Sequence, residues 1–415
     1  MADKIQNLIF HVDVNSAFLS WESSRRVKNG EEDLRRIPAA IGGDPEKRTA
    51  VILAKSIPAK KFGINTGEPV SMALRKCPSL VLAKPDFRLY TACSRAFMEI
   101  CRQYAPVVEK FSIDECFLDM SGTQYTYPNP VALAHTIKNR IRDELGFTVN
   151  IGIGPNKLLA KMASDFEKPD KVHTLFSEEI AEKLWPLSVS ELLFVGKSSA
   201  AKLKYYGLNT VGDAAAAELS FLQQILGNKM GEMVYRYSRG IDDSPVVSER
   251  AEAKGFSIST TLEENVTDTE TALNIIRALC DSVAERMRAD GFRAHSVGVT
   301  IRSSQFRNSS HQKKLMNATD ISDEIFSAAA DLFKELWDTE TPLRLLGVSL
   351  TMLTKEENIQ LSLFEDQEIS DRKRKMEQSL DSLRKKYGAD IIKKASRMDN
   401  AVQVGKKYRA EIEEK

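Results

Sequence analysis

The sequence predicts a multidomain α+β protein with a ferredoxin-like module, a helical region and a second α/β module, in that order. Strand-like and helix-like segments up to Gly154 follow one another as βαββαβ, the order of a four-stranded sheet backed by helices. Residues 171–240 have helical character, and a strand–helix–strand–strand–helix–strand pattern covers 255–353. The turn-rich stretch Gly240–Val247 separates these two parts.

The composition is that of an ordinary globular protein. Of 415 residues, 42% are hydrophobic and 28% are charged, and no apolar run approaches the roughly 20 residues of a membrane span. The first residues lack a signal-peptide layout and the five cysteines contain no CxxC pair, so we expect a cytoplasmic protein with reduced thiols and no membrane partner. The net charge is only +1, so contact with nucleic acid would have to come from local patches.

The first predicted strand is Leu8–Asn15, a buried apolar run with Asp13 near its C-terminal end. Ser16 is placed to cap a following helix that contains Phe18 and ends at Asn29–Gly30. An aspartate at such a strand end is either a metal ligand or an ordinary capping residue, and this segment alone leaves both open.

A second acidic site lies in Lys110–Asp119, where Asp114 and Glu115 interrupt a strand-like sequence. The pair is either a turn between two short strands or half of a metal site that needs a third carboxylate. The ferredoxin-like order places the first strand beside this hairpin, so Asp13 can approach both acids. Three carboxylates on one sheet face repel one another without a cation, and two Mg²⁺ ions would neutralise them.

The remaining elements of the first module follow from the same periodicities. They are the strands Ile37–Ile41, Ala50–Ala54 and Phe147–Gly154 and the helices 89–105 and Pro130–Leu145.

Three motifs in this order resemble the Y-family translesion DNA polymerases, in particular the bacterial polymerase IV-like and UmuC-like branch. They are Asp13–Phe18, Ser112–Glu115 and Gly152–Pro169, and the resemblance extends over roughly residues 5–365. It implies a template-directed DNA polymerase that copies damaged DNA with low fidelity and without proofreading. Asp13, Asp114 and Glu115, assisted by the carbonyl of Val14, would hold two Mg²⁺ ions for nucleotidyl transfer from a deoxynucleoside triphosphate to a primer 3′-hydroxyl.

The resemblance also implies how the nucleotide is bound. Phe18 matches the steric gate that excludes a ribose 2′-hydroxyl, although a Phe on a helix is otherwise a core residue. Lys168 matches a triphosphate-binding lysine. Relatives carry Tyr and Arg where this chain has Ile57 and Lys60, so we expect weaker nucleotide binding or compensation by Lys61. Ala17 replaces a usual aromatic residue and leaves the packing beside the gate undetermined.

Two further regions match DNA-holding parts of the family. Gly196–Lys197 lies in a turn that resembles a helix–hairpin–helix, with Phe194 where the motif has Gly; a plain helical hairpin is the alternative. Lys254, Arg302 and Arg307, together with Lys313 and interleaved serines, lie in or beside strands of the second module. They suit phosphate contacts, or else form an ordinary polar face.

The segment Gln360–Phe364 resembles the peptide by which bacterial replication proteins bind the sliding clamp, with Gln360, Leu361, Leu363 and Phe364 as anchors. Beyond it, residues 369–386 are predicted to form a helix with Met376, Leu380 and Leu383 on one face, and its basic residues either touch DNA or are solvated.

The family's domain names divide the chain as follows. The palm is 1–16 and 86–170, the fingers 17–85, the thumb 171–241, the linker 242–251, the little finger 252–355 and the tail 356–415. We expect a monomer. Two other functions remain to be tested: a DNA- and clamp-binding adaptor with weak or no catalysis, and a nucleotidyl cyclase built on a similar palm.

Overall fold

The computed structural model describes residues 7–249, 252–355 and 367–388, with side chains of the last segment from 372 onward. The chain forms two compact units, Met1–Arg250 and Ala251–Lys415, and each is described by itself. No helix in these described ranges has both the length and the apolar character needed to cross a bilayer.

The first unit contains three groups of elements in chain order. Residues 9–110 form β1 (Ile9–Val14), α1 (Ala17–Lys28), β2 (Ala39–Gly42), β3 (Ile52–Lys55), α2 (Ile57–Lys60), α3 (Val70–Lys76), β4 (Val81–Ala83), α4 (Phe87–Arg102) and β5 (Val107–Lys110). Residues 115–174 form β6 (Glu115–Asp119), α5 (Pro130–Leu145), β7 (Val149–Gly154), α6 (Lys157–Asp165) and β8 (Val172–Thr174). Short 3₁₀ and π turns precede α7 (Lys197–Tyr205), α8 (Val211–Ala216), α9 (Leu219–Leu226) and α10 (Asn228–Ser238).

The central sheet of this unit has the strand order β5-β6-β1-β7-β8. Its first four strands are the ferredoxin-like arrangement that the sequence predicts, with β1 antiparallel to both β6 and β7, and β8 adds a fifth strand parallel to β7. Alternation along β1 divides its side chains between two faces. Val12 and Val14 enter a core shared with α1, α4 and α5, whereas His11 and Asp13 point to the opposite face.

Helix α6 covers that opposite face at very short range, because two glycines of β7 lie beneath it. A Cβ atom on Gly152 would lie 2.0 Å from the carbonyl oxygen of Ala160, and one on Gly154 would lie 2.9 Å from the Ala160 nitrogen. The absence of side chains at these positions therefore lets α6 pack directly on the strand that lies next to Asp13.

One detail at the start of α1 differs from the prediction. Ser16 is in the capping position, but its backbone is left-handed (φ 48°) and its side chain makes no capping hydrogen bond. Its carbonyl still accepts the first helical bond, from the Ser20 nitrogen at 3.0 Å. The tight turn from β1 into α1 sets this backbone conformation, so the hydroxyl is not directed at the free N–H groups.

A smaller sheet, β3-β2-β4, carries α2 and α3 on a separate apolar core. The helical region α7–α10 forms a third core together with apolar residues of α6. The stretch after α10 is predicted as a linker, yet its first part is attached to the unit: Asp242 accepts a hydrogen bond from the Leu158 nitrogen (3.1 Å), and the Val247 nitrogen donates to Glu109 (3.0 Å).

The second unit has the predicted order of elements. It contains β9 (Gly255–Val266), α11 (Thr269–Ala289), β10 (Arg293–Ser303), β11 (Asn308–Thr319), α12 (Ser322–Leu336), β12 (Leu343–Thr354) and α13 (Gln367–Tyr387). The strands form an antiparallel sheet in the order β11-β10-β12-β9, and the apolar residues of α11 and α12 form one core with one face of it.

The predicted C-terminal helix is present, but Met376 and Leu383 of its apolar face are not the residues that pack. Met376 and Leu383 are 51% and 39% exposed, while Glu377 and Arg384 are buried. The helix binds its unit through ion pairs, chiefly from Arg288, which lies 2.7 Å from Asp381 and 3.2 Å from Glu377. Periodicity identified the helix, but the charges of α11, which no local pattern reveals, decide which face packs.

The five cysteines are all free thiols, as predicted, and Cys93 is only partly buried while the other four are buried.

Candidate active site

The two acidic segments meet on the face of the central sheet that α6 covers. Asp13 on β1 lies directly opposite Glu115 on β6 in the antiparallel register. Asp114 precedes β6, and its carbonyl accepts a hydrogen bond from the Val14 nitrogen at 3.0 Å. Asp114 and Glu115 are partly buried and Asp13 is buried, so their charges are poorly solvated.

Two lysines face these carboxylates. Lys161 on α6 places its Nζ 2.7 Å from Glu115 Oε1 and 3.3 Å from Asp13 Oδ2. Lys168, beyond the end of α6, places its Nζ 2.7 Å from the same Asp13 oxygen. Asp165 contacts both lysines, at 3.4 and 2.7 Å. The site is therefore a compact network of opposite charges.

Asp114 and Glu115 differ in their affinity for a proton. Burial raises the pKa of Asp114, and the charges of Asp13 and Glu115 add to this, against a hydrogen bond from Ser112. Burial also opposes ionisation of Glu115, but its contacts with His11 and Lys161 outweigh burial and lower its pKa to about 2. Asp114 is thus the member of the trio whose charge is least compensated by its neighbours.

Of the two partners of Glu115, Lys161 makes the closer contact, at 2.7 Å. The His11 Nε2 atom lies 3.8 Å from Glu115 Oε2, which is too long for a hydrogen bond. Burial lowers the pKa of His11, and its Nδ1 is 2.8 Å from Ser164 Oγ, whose hydroxyl donates to the Lys161 carbonyl. His11 therefore packs beneath Glu115 with Nδ1 directed at Ser164 and Nε2 directed towards the carboxylate.

The residues fit a hard divalent cation by their chemistry. Three carboxylates and the Val14 carbonyl are the oxygen ligands that Mg²⁺ prefers, and a cation would relieve the repulsion that raises the pKa of Asp114. Within the described ranges no three acidic, His or Cys side chains converge as a formed metal cluster. Asp13 and Glu115 instead face lysines, so a bound cation would replace some of these lysine contacts.

Phe18 lies at the edge of an aromatic cluster near the start of α1. Its ring stacks on Tyr90 with a centroid distance of 4.6 Å and also lies near Trp21 and Phe87, at 5.9 and 6.2 Å. It is partly exposed, whereas Tyr90 is fully buried. This placement supports the ring on one side and leaves part of it accessible, which is compatible with both of its predicted roles.

The other predicted nucleotide-binding residues lie on a different part of the unit. Lys60 and Lys61 are exposed at the end of α2, and Ile57 is 56% exposed. Lys55 lies nearby: burial first, and then the charge of Lys60, lowers its pKa. Asp13 and Glu115 instead pair with His11 on β1, Lys161 on α6 and Lys168 beyond α6, and none of these three belongs to this lysine group.

The predicted hairpin turn has the expected helix start, with Gly196 preceding α7 and Lys197 as its first residue. Phe194 occupies the position of the motif's glycine and adopts the left-handed backbone that glycine favours (φ 65°), with 56% of the side chain exposed. The turn geometry is therefore kept in spite of the substitution.

In the second unit, strand alternation divides the predicted DNA contacts between faces. Thr300 and Arg302 lie on the face of β10 opposite Val299 and Ile301, which enter the core. On β11, Lys313 pairs with the core residue Val297 and so lies on the helix side, contrary to the expectation of one phosphate-facing group. Lys254 and Arg307 are exposed in the segments that flank β9 and β11.

The clamp-like peptide, Gln360–Phe364, lies outside the described residues.

Sequence reasoning missed three side chains of the site: His11, Lys161 and Asn150. Each had a signal. His11 is two residues before Asp13 on a strand and so shares its face. Lys161 is four residues before Asp165 on α6, at helical spacing, and Asn150 is directly opposite Asp13 on β7.

Comparisons with known proteins agree with this geometry. A model of the impB/mucB/samB family matches residues 12–165, and the model of its C-terminal domain matches residues 253–363. A model of the DNA polymerase-iota thumb domain matches residues 191–242. The three matches together include the carboxylates, the hairpin turn and the sheet of the second unit.

Full-length relatives are also similar. DNA polymerase IV of Clostridium acetobutylicum is 45% identical over 389 residues, covering 94% of this chain and 97% of that protein. DNA polymerase IV 1 of Bacillus subtilis is 36% identical, covering 94% of this chain and 92% of that protein. A solved chimeric Y-family DNA polymerase matches with a TM-score of 0.74 at 22% identity, over 84% of this chain and all of that one, which supports the fold. The chain belongs to the Y family of DNA polymerases.

Proposed function

We propose that this chain extends a DNA primer with deoxynucleoside triphosphates, including opposite damaged template bases, at the site formed by Asp13, Asp114 and Glu115. The observation that carries the proposal is the pairing of Asp13 with Glu115 across β1 and β6, with Asp114 alongside. Dependence on divalent metal is general in the family, and the trio with the Val14 carbonyl is the set that would hold two Mg²⁺ ions. When bound, such ions lower the pKa of a primer hydroxyl and neutralise the triphosphate.

The residues of this chain contribute position and charge to the reaction. Lys168 binds a triphosphate oxygen, because its ammonium lies 2.7 Å from Asp13 and its side chain is 37% exposed. Lys161 remains beneath the carboxylates and offsets their mutual repulsion, which keeps Glu115 ionised. Phe18 closes the sugar pocket against a 2′-hydroxyl, supported from behind by Tyr90.

The exposed Lys60 and Lys61 steer the triphosphate from α2. Ile57 offers no hydrogen bond, so binding at this point rests on the point charges of the lysines rather than on a planar Arg fork.

DNA is held by the predicted thumb and little finger. The N–H groups at Gly196 and Lys197 face a phosphate at the start of α7. In the second unit, Lys254, Arg302 and Arg307 contact the backbone of the duplex without reading its sequence. Gln360–Phe364 binds the bacterial sliding clamp, and the chain acts as a cytoplasmic monomer. We propose the boundaries given above for the palm, fingers, thumb, linker, little finger and tail.

Primer extension with Mg²⁺ on a template with a single lesion tests the proposal. The wild-type chain should extend past the lesion, and Asp114→Ala should lose extension by about 10²- to 10³-fold or more, since an electrostatic catalytic group is removed. Asp119→Ala is the matched control, because that acid is on the same strand but accepts only a local bond from the Ser121 nitrogen. Equal activity of Asp114→Ala and wild type would refute the site; no extension by wild type would favour the adaptor function.

Two arms of the same assay test the partner assignments. Phe18→Ala should incorporate ribonucleotides while Phe87→Ala, from the same aromatic cluster, should not; exclusion by both would reject the gate. Deletion of residues 360–364 should remove stimulation by the sliding clamp but keep unassisted synthesis, and stimulation that survives the deletion would reject the peptide assignment.

A further inference from the structure

A buried amide lies next to the carboxylates without contacting them. Asn150 is fully buried on β7, directly opposite Asp13 in the sheet register. Its Nδ2 group donates to the carbonyl of Ser164 at 3.0 Å and to the carbonyl of Glu167 at 2.6 Å. These two carbonyls belong to the last turn of α6 and to the residue just before Lys168, so one side chain holds the beginning of the Lys168 segment.

A second amide holds the far end of the same segment. Asn150 Oδ1 accepts from the Asn15 side chain (3.1 Å) and from the Lys171 nitrogen (3.2 Å). Asn15 Oδ1 in turn accepts from the Thr148 hydroxyl (2.9 Å) and from the Asp170 nitrogen (3.0 Å). Both donors and both acceptor sites of Asn150 are therefore used, which is what a buried amide needs.

The contacts enclose Lys168 on both sides along the chain. The backbone is held at Glu167 before it and at Asp170 and Lys171 after it. Of the two amides, Asn15 directly follows β1, the strand of Asp13, and Asn150 lies on the neighbouring β7. An ion pair from the buried Lys138 to Asp170, 2.7 Å long, adds a third attachment. Asp170 has a left-handed backbone (φ 63°), which a non-glycine residue keeps only when its surroundings enforce it.

Such a framework matters because lysine is flexible. Its ammonium is a point charge on a four-carbon chain, and its interaction with a phosphate depends on where the backbone places the base of that chain. Without the amides, the 166–171 segment could shift while the carboxylates stayed on their strands. Loss of the amides should therefore weaken nucleotide binding more than it slows the chemical step.

We propose that Asn15 and Asn150, together called the amide clasp, are positioning residues that hold Lys168 at the triphosphate site. The proposal rests on the proposed function, in which Lys168 binds the triphosphate. The clasp itself touches neither nucleotide nor reacting atoms and acts only through the Lys168 segment.

A double-mutant cycle in the full-length chain tests the clasp. The KM for deoxynucleotide, kcat and the Kd for primed DNA are measured for Asn150→Ala, Lys168→Ala and the double variant. Asn150→Ala should raise KM about tenfold, the equivalent of one well-placed hydrogen bond lost, with smaller changes in kcat and in the Kd for DNA. The double variant should bind nucleotide no more weakly than Lys168→Ala alone, because the clasp has nothing left to position.

Two further variants keep the test interpretable. Asn15→Ala removes only the contacts at the far end of the segment. It replaces Asn150→Ala in the cycle if that variant does not fold, and it should raise KM by a smaller factor. Ser24→Ala is the control for a general loss of buried polar contacts: its buried hydroxyl oxygen lies 2.8 Å from each of the Ser20 and Gly146 carbonyl oxygens, away from the segment. It should leave KM unchanged.

The outcomes distinguish a failure of the amide-clasp proposal from a failure of the proposed triphosphate role of Lys168. If the effects of Lys168→Ala and the clasp variant multiply, or if the clasp variants leave KM unchanged while Lys168→Ala raises it, the clasp is refuted and the role of Lys168 stands. If Lys168→Ala itself leaves KM unchanged, the triphosphate role is refuted and the clasp proposal falls with it.

Discussion

Helices α6 and α13 each pack against the unit that contains them, but by opposite means. Most of α6 is buried, and it rests on Gly152 with backbone against backbone, which brings Lys161 to within hydrogen-bonding distance of Glu115. Helix α13 instead leaves apolar side chains in solvent and binds through ion pairs to Arg288. Close backbone packing fixes the position of a helix to a fraction of an ångström, as a catalytic site requires, whereas charge pairing fixes only which face is bound.

The largest effect is expected from Gly152→Ala, which tests the close packing of α6. The new Cβ would lie 2.0 Å from a backbone oxygen that no rotamer change can move. The loss in free energy of unfolding should therefore exceed the usual range of about 1–3 kcal/mol for overpacking. We expect the first unit to lose its cooperative unfolding transition in denaturant titrations. Gly196→Ala is the control, since it has an ordinary φ of −74° and no atom within 4 Å of the added Cβ. Similar stability of the two variants would show that α6 can move away.

An intermediate effect is expected from Arg288→Met, which tests the ionic attachment of α13. Removing one partner of a buried ion pair costs up to about 3–5 kcal/mol of stability. The actual loss should be smaller, because the helix can be released into water and its charges are then solvated. The expected readout is faster proteolysis within α13, while the rest of the second unit keeps its stability. The control is Arg277→Met, also on α11, which breaks a partly exposed ion pair with Asp323 of α12. It should change stability by less than about 1 kcal/mol. Unchanged protection of α13 in Arg288→Met would contradict the ionic attachment.

The smallest effect is expected from Leu383→Gln, which decides between the two faces of α13. Because the side chain points outward and is 39% exposed, the substitution should alter stability by no more than about 0.5 kcal/mol. A loss of about 2–5 kcal/mol, the size seen for buried leucines, would instead show that the apolar face is the packed one. Thermal unfolding and proteolysis of the same sample distinguish these values.

The face that carries Asp13 and Glu115 could be predicted because it depends on strand order and on alternation along single strands. Asp13 and Glu115 meet as expected, since a βαββαβ order places β1 beside β6. Lys161 and Asn150 were not predicted, because their roles depend on how α6 and its following segment cross the sheet, and this crossing is set by glycines rather than by a polar pattern. The face by which α13 packs was not predicted, for a related reason: hydrophobic periodicity identifies an apolar face, whereas α11 supplies an arginine as the partner of an acidic one.

The state of the cysteines has a practical consequence for following nucleotide and DNA binding in solution. Burial raises the pKa of Cys93 to about 11, and it also contributes to the raised pKa of Cys116 and Cys280, so these thiols stay protonated near neutral pH. Four of the five are, in addition, shielded from reagents. A cysteine introduced on an exposed helix position should therefore be the fastest-reacting thiol of the otherwise unaltered chain. A single fluorophore attached there would report on binding without prior removal of the native sulfur atoms.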